Sequence, residues 1–436
     1  MSEWREFRLD QLMDFRKGIN YTSSDYGDES SDCPFITIKC FVKGGGYEST
    51  GLKYIRGEFK REDQLQAGDV VFAVTDLTRA GDIVGSPLQV PFYGENVYAV
   101  ASMDCMRAIP YEAVCDRSFL YYRMMLPDIR GQMVAYSAGS TVLHLDTKQV
   151  PRITCLFPED IPEQKAIANI LDTLDTQIRQ TEAIIAKLQQ VKQGLLHDLL
   201  TRGIDANGQL RPPREQAPAL YKESTLGWIP REWEAAPIGS RAEISYGISD
   251  AIDTALEDGV KTITLPCVKA NGDLILSEDA LAYTSREKVT SQLMLKKGDL
   301  LFNWRNGSQN HLGKTALFDL DGEYTHVGFL LKVRAIEGQC EPTFLYQAIK
   351  YAKETGVFLR AKIQVNNTFN SGELRALRLA FPPLHEQIGL STKLASLEDQ
   401  ISSEHRRINK LKKQKSGLMD DLLTGRVRVN RLLKTA

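Results

Sequence analysis

No stretch of this 436-residue sequence approaches the run of about twenty apolar residues that a membrane-crossing helix needs. The first residues, MSEWREFRLD, are charged and lack the apolar segment of a secretory signal, so the expected setting is the cytoplasm, away from membranes. The seven cysteines are scattered, odd in number and without a C-x-x-C pair, which argues against both a zinc ribbon and a disulfide framework. They read instead as small core residues. The six histidines show no metal-ligand spacing. A formal net charge of −2 gives no global basic signature, although binding to nucleic acid depends on charge on one face rather than on the sum.

What the sequence does have is a repeat. Glu163–Thr201 aligns without a gap onto Glu386–Thr424 at an offset of 223, with 16 of 39 positions identical. In the first copy apolar residues fall at Ile167, Leu171, Leu174, Ile178, Ile185, Leu188, Leu195 and Leu199. In the second they fall at Leu390, Leu394, Leu397, Ile401, Ile408, Leu411, Leu418 and Leu422. Steps of four and three give the 3.5-residue seam of a coiled coil, and so narrow a stripe predicts that the two helices bury it on each other. Two seam positions are polar in both copies, Thr181/Glu404 and Lys192/Lys415. Parallel in-register pairing would set Lys192 against Lys415, so the expected direction is antiparallel, with Lys192 near Leu397, Thr181 near Ile408 and Ile167 near Leu422.

Outside the helices the two halves match more weakly. Trp4 corresponds to Trp233, Gly68–Phe72 to Gly298–Phe302, and Phe119-Leu120-Tyr121 to Phe344-Leu345-Tyr346. Short β-rich runs punctuated by Gly and Pro, such as PFITIKCF and GFLLKVRA, predict strands. The expected fold is α+β: two β-rich globular domains separated by two long helices that form an antiparallel coiled coil. The boundaries read as a first domain over 1–156, a central helix over 157–203, a Pro- and Gly-rich linker over 204–232, a second domain over 233–380, a distal helix over 381–424 and a tail over 425–436. Similar helices suit two similar partners, and divergent domains suit two different targets.

Several of these stretches resemble one family. ESTLGWIPREWE (223–234) is similar to the approach to the second target-recognition domain in specificity subunits of Type I restriction–modification systems. FPPLHEQ (381–387), leading through the heptad helix to GLMDDLLTGRVRV (417–429), resembles that family's distal conserved region. LFPEDIPEQKAIANIL (156–171), running to GLLHDLLTRGID (194–205), resembles its central one. LKKGDLLFNWRNG (295–307) and AGDVVFAVT (67–75) match a recurrent strand-turn-strand of its recognition domains. The resemblance implies a non-catalytic subunit that binds double-stranded DNA and holds no cofactor. It implies that each recognition domain reads one half of a bipartite site, with the helices fixing the unread spacer. It implies further that two methyltransferase subunits dock on the helical regions and that restriction subunits complete the nuclease.

If the domains read bases, Arg or Lys suits guanine, Asn or Gln suits adenine, and Ser or Thr suits either, on loops that enter the major groove. The candidates in the first domain are Lys17, Asn20, Lys39, Lys43, Thr78, Arg79, Ser140 and Thr141. In the second they are Tyr246, Lys269, Asn271, Asn303, Arg305, Asn306, Gln309, Asn310, Asn366 and Asn367, with NWRNGSQNH (303–311) the foremost loop. The basic run HRRINKLKKQK (405–415) reads first as a solvated helix face, with methyltransferase docking as the competing role.

Catalytic patterns fail in their details. GSQNHLGKT (307–315) has five residues between its glycines where a phosphate loop has four, and the adjoining ALFDLDGEY (316–324) reads as strand and turn rather than helix. Pro127-Asp128 with Glu163-Gln164-Lys165 mimics a nuclease spacing, but the second copy, Glu386-Gln387-Ile388, lacks the lysine, and a helix-start signal accounts for the shared Glu-Gln. Phe381-Pro382-Pro383-Leu384 lacks the asparagine and aromatic of an adenine-methylation tetrapeptide. The alternative from another class is a protein-binding scaffold with two β-domains on a coiled-coil spacer.

Overall fold

The computed structural model describes residues 3–429 apart from 31, 79, 250–255, 257, 270, 278–279, 306–311 and 361–367. The chain divides into two compact units, one made of residues 1–183 with 406–436 and the other of residues 184–405.

In the first unit the central sheet is antiparallel, in the order Met13–Lys17, Cys105–Pro110, Val70–Ala73, Pro87–Gln89. Its middle strand is buried on both faces: Val70 and Phe72 join one apolar cluster, Val71 and Ala73 another. Period-two alternation thus builds two layers around one sheet, and the strand reads as a continuous apolar run for that reason. A second sheet runs Lys53–Ile55, Cys33–Ile36, Val100–Ala101, and a third runs Ser137–Ala138, Leu143–Leu145, Thr75–Asp76. Trp4–Arg8 pairs with Thr154–Pro158, which brings the chain to the start of the first long helix, Ile161–Thr201.

The second unit repeats this plan. Its central sheet runs Ala242–Tyr246, Leu330–Ala335, Leu300–Asn303, Thr315–Leu317. Leu300 and Phe302 face one cluster and Leu301 the other. Glu234–Pro237 pairs with Arg378–Phe381 and leads to the second long helix, Leu384–Leu422. An additional hairpin, Tyr221–Ser224 with Gly227–Pro230, precedes the domain.

Within each unit, segments of both long helices pack antiparallel. In the first, Ile167 and Leu171 share a core with Leu422 and Leu423, and Lys415 Nζ meets Asp175 Oδ1 at 2.5 Å. In the second, Leu196 and Leu199 share a core with Leu390 and Leu394, and Lys192 Nζ meets Glu398 Oε1 at 2.5 Å. Lys192 and Lys415 are the repeated polar seam residues, and each finds a carboxylate at the corresponding place in the other copy. The polar slot at Thr181 is buried, and its hydroxyl donates to the carbonyl of Gln177 at 2.8 Å, which satisfies it within its own helix.

The repeated Glu-Gln pair is more than a helix-start signal. Gln164 Oε1 accepts from the Asp116 N–H at 2.6 Å, and Gln164 Nε2 donates to the carbonyls of Val114 (2.9 Å) and Pro158 (2.8 Å). Gln387 makes the same set, accepting from the Glu341 N–H at 2.8 Å and donating to Pro382 (2.9 Å) and Gln339 (3.5 Å). Asp116 and Glu341 cap the helices Arg117–Met124 and Pro342–Glu354, so each glutamine locks a long helix to the capped end of its domain's own helix. Glu163 is fully buried and pairs with Arg428 (2.7 and 2.8 Å), whose guanidinium those bonds hold above its ordinary range. Glu386 pairs with Arg211 and also accepts from Ile204 N–H at 2.9 Å and Trp233 Nε1 at 3.1 Å. The long helices end at Gly203 and Gly425, both left-handed (φ +65° and +74°) and each covered by a tryptophan, Trp233 and Trp4, where a Cβ would come within 2.5 and 2.8 Å of the ring.

Candidate nucleic-acid interface

The same end of the central sheet is built alike in both domains. The first strand leaves the sheet as Lys17-Gly18-Ile19-Asn20 in one and Tyr246-Gly247-Ile248-Ser249 in the other. Ile19 bridges Ser102 and Ile248 bridges Val327, both in parallel. A Cβ at Gly18 would sit 2.1 Å from the Ser102 carbonyl oxygen, and one at Gly247 would sit 2.2 Å from that of His326, so only glycine permits the approach. The central strands end beside this exit, at Ala73 and Asn303.

In the first domain Lys17 and Asn20 are exposed at the exit, and Lys39 is exposed on the short helical turn Ile38–Cys40. Loop contacts gather four other candidates. Buried Asp76 accepts from the Thr78 N–H (2.7 Å) and hydroxyl (2.8 Å) and from the N–H groups of Ile83 (2.5 Å) and Val84 (3.3 Å), ordering the loop after the strand Thr75–Asp76. Lys43 reaches that loop through Asp82 at 2.5 Å. Ser140 and Thr141 are exposed at the tip of the hairpin whose second strand, Leu143–Leu145, pairs with Thr75–Asp76. Thr78 spends its hydroxyl on Asp76, and what it offers a ligand is a shaped loop. Arg79 lies outside the described residues.

In the second domain Tyr246 is 39% exposed and packs edge-on against Trp304 at 5.3 Å. Arg305 is exposed, and its guanidinium lies over the Phe329 ring, 5.9 Å from the centroid. Lys269 and Asn271 sit on a tight turn closed by Gly272 N–H to the Lys269 carbonyl (3.2 Å) and by Asn271 Nδ2 to Asp273 (2.7 Å). Asn303 departs from expectation. The strand continues through it, and the side chain is buried, with Oδ1 enclosed, so it belongs to the sheet and not to the loop beyond it. Asn306, Gln309, Asn310, Asn366 and Asn367 lie outside the described residues.

Some neighbours of these candidates carry no local sequence signal. Burial, and then the charge of Lys269, pushes the Lys314 ammonium below its ordinary range; burial and then Lys314 do the same to Lys353. These lysines therefore form a mutually repelling cationic patch beside the Lys269 turn, suited to a phosphate. Lys350 Nζ donates to the Asn271 carbonyl at 2.8 Å. Asp104, His144, Trp304 and Phe329 also flank the strand ends, drawn from distant parts of the sequence. Among the described residues no group of three or more His, Cys, Asp or Glu side chains is placed to hold a metal ion. Among the same residues no helix is long and apolar enough to cross a membrane.

Residues 1–190 match the model of the Type I restriction modification DNA specificity domain. The chain is 25% identical over 331 residues to the Type I restriction enzyme MjaVIII specificity subunit of Methanocaldococcus jannaschii, covering 73% of this chain and 72% of that one. It is 20% identical over 427 residues to the EcoBI specificity subunit of Escherichia coli, covering 94% of this chain and 83% of the relative. The fold is similar to the crystal structure of a Type I restriction–modification S subunit from M. genitalium, with a TM-score of 0.58 at 14% identity over 97% of this chain and 96% of the other.

Proposed function

Because the chain belongs to the specificity-subunit family of Type I restriction–modification systems, we propose that its two globular domains each read one half of a bipartite DNA site and direct partner subunits to it. In this reading the chain performs no chemistry and binds no cofactor. Two methyltransferase subunits methylate adenine at the chosen site, restriction subunits cleave DNA, and the long helices set the length of the unread spacer.

The observation that carries the reading is the contrast at the strand ends. Two domains of common framework present different side chains at equivalent positions: Lys17 and Asn20 in one, Tyr246 and Ser249 in the other. A duplicated scaffold with divergent polar and aromatic ends suits two different base sequences read by one mechanism. Lys43 and the Lys269–Lys314–Lys353 patch supply backbone contacts, which position a domain without specifying sequence.

The test compares the host's methylated adenines with and without this chain. The expected result is one asymmetric bipartite motif, with a fixed gap, that disappears when the chain is deleted. Binding by the purified chain with its methyltransferase subunits should also weaken steeply as salt rises. An unchanged methylation pattern, together with binding to proteins but not to DNA, would establish the scaffold instead.

A further inference from the structure

The two globular domains can be matched position by position from strand register alone. Ala73 stands opposite Cys105 where Asn303 stands opposite Leu330, and Lys17 stands opposite Met106 where Tyr246 stands opposite Leu331. The turn before each of these partner strands is closed by the same bond, Cys105 N–H to the Ser102 carbonyl and Leu330 N–H to the Val327 carbonyl, both 2.9 Å. Two residues past the central strand, Thr75 therefore corresponds to Arg305. One residue before the partner strand, Asp104 corresponds to Phe329. Thr75 is backed by His144 in the ladder and Arg305 by Thr368.

The framework is the same and the chemistry is not. In the first domain Thr75 Oγ1 donates to Asp104 Oδ1 at 2.9 Å and lies 3.5 Å from His144 Nδ1. Among the described residues Asp104 Oδ2 accepts no hydrogen bond, which leaves an acceptor at the rim. In the second domain the same two positions hold a guanidinium and an aromatic ring, and Phe329 is 49% exposed. Isolated apolar side chains on a surface need no special account. Phe329 differs because its turn is pinned from two sides: Gly328 N–H donates to the Ile248 carbonyl at 2.6 Å, and Trp304 Nε1 donates to the Gly328 carbonyl at 2.7 Å. Trp304 is in turn braced by Tyr246. Arg305 is exposed and has no ion-pair partner among the described residues. A rigid mount that holds an exposed ring beside an exposed guanidinium is how a contact surface is preorganised.

We propose that Asp104 with Thr75 in the first domain, and Phe329 with Arg305 in the second, are the base-reading pairs that set the two half-sites. The Asp104 carboxylate accepts from the exocyclic amine of a cytosine. The Arg305 guanidinium takes O6 and N7 of a guanine while the Phe329 ring covers the methyl group of a neighbouring thymine. This rests on the DNA-reading role proposed above and assigns the letters that role leaves open.

The full chain, assembled with its methyltransferase subunits, is used to select from a pool of randomised duplexes. The wild type should yield a bipartite consensus with a cytosine–guanine pair in the first half and a guanine beside a thymine in the second. Asp104→Asn should relax one position of the first half only, lowering the preference for cytosine about tenfold or more. Arg305→Ala should relax the guanine, and Phe329→Ala the thymine, in the second half only. Replacing that thymine with deoxyuridine, which lacks the methyl group, should weaken the wild type and leave Phe329→Ala unaffected. This base substitution needs no protein variant, so it remains decisive should a variant fail to assemble. Variants that select the wild-type consensus, a uniform loss on all sequences, or indifference of the wild type to deoxyuridine at every thymine of the second half would overturn the assignment. A wild-type complex that selects no consensus would overturn the DNA-reading role itself, and the two failures are thereby told apart.

Discussion

The helix ends and the strand ends of this molecule have the same history of duplication and opposite outcomes. At the helices the repeat survives in its glutamine locks and its lysine seam pairs: Gln164 and Gln387 hold equivalent atoms, and Lys192–Glu398 reproduces Lys415–Asp175. At the strand ends the backbone survives, down to the glycines at 18 and 247, while the side chains part company. The difference separates a frame held constant from faces free to diverge. A buried carboxylate or a locked cap fails when either partner changes, whereas a solvent-facing side chain on a pinned turn can be exchanged with little effect on the fold.

Three sets of substitutions sharpen or break this contrast, beginning with the largest effect. Glu386→Ala removes a buried carboxylate with three partners and leaves the buried Arg211 with only the exposed Glu232 as counter-charge, so the second unit should lose about 3–5 kcal/mol in denaturant titration. Glu163→Ala should lose less, because Arg428 is a third exposed and can turn to water. Equal losses would show that the two frames are energetically as well as geometrically repeated.

The second concerns an asymmetry inside the frame. His326 is buried where the first domain has Ala101, neither ring nitrogen has a hydrogen-bond partner among the described residues, and burial with the nearby Lys332 charge pushes it down to about 3. The unfolded chain takes up this proton near pH 6.5 while the folded chain refuses it until about pH 3, so stability rises with pH across that window and is fully present above it. His326→Leu should flatten the acid limb of the second unit's stability curve by an amount on the order of 4 kcal/mol between those limits. An unchanged limb would place the acid sensitivity elsewhere.

The smallest effect tests the repeat in the seam. Lys192→Glu and Lys415→Glu should each cost about 1 kcal/mol, and each should be restored by making its partner, Glu398 or Asp175, a lysine. Restoration at one seam and not at the other would break the equivalence.

Much of the frame was legible in the sequence because a 3.5-residue period is a local signal, and the repeated polar slots carried the direction of pairing. The meaning of the Glu-Gln pair was not legible. Its partners, Asp116 and Arg428 in one copy and Glu341 and Arg211 in the other, lie far away in sequence, and only folding brings them together. The candidate interface could be narrowed in the sequence to loops and not to single residues. Lys17, Asn20, Tyr246 and Arg305 stand exposed at the strand ends, but Asn303 turned inward because the strand outlasted its apolar run by one residue. Asp104, Phe329 and the lysines at 314 and 353 gave no sign, since each becomes notable only beside a neighbour supplied by another strand or helix.

The bond between Glu163 and Arg428, with Trp4 lying over Gly425, has a consequence for synthesis. The second unit is drawn from one uninterrupted stretch, residues 184–405, and can close as soon as that stretch has left the ribosome. The first unit waits. Until residues 406–429 emerge, Ile167 and Leu171 have no Leu422 or Leu423 to cover them, and the half of the protein translated first is the half that finishes folding last.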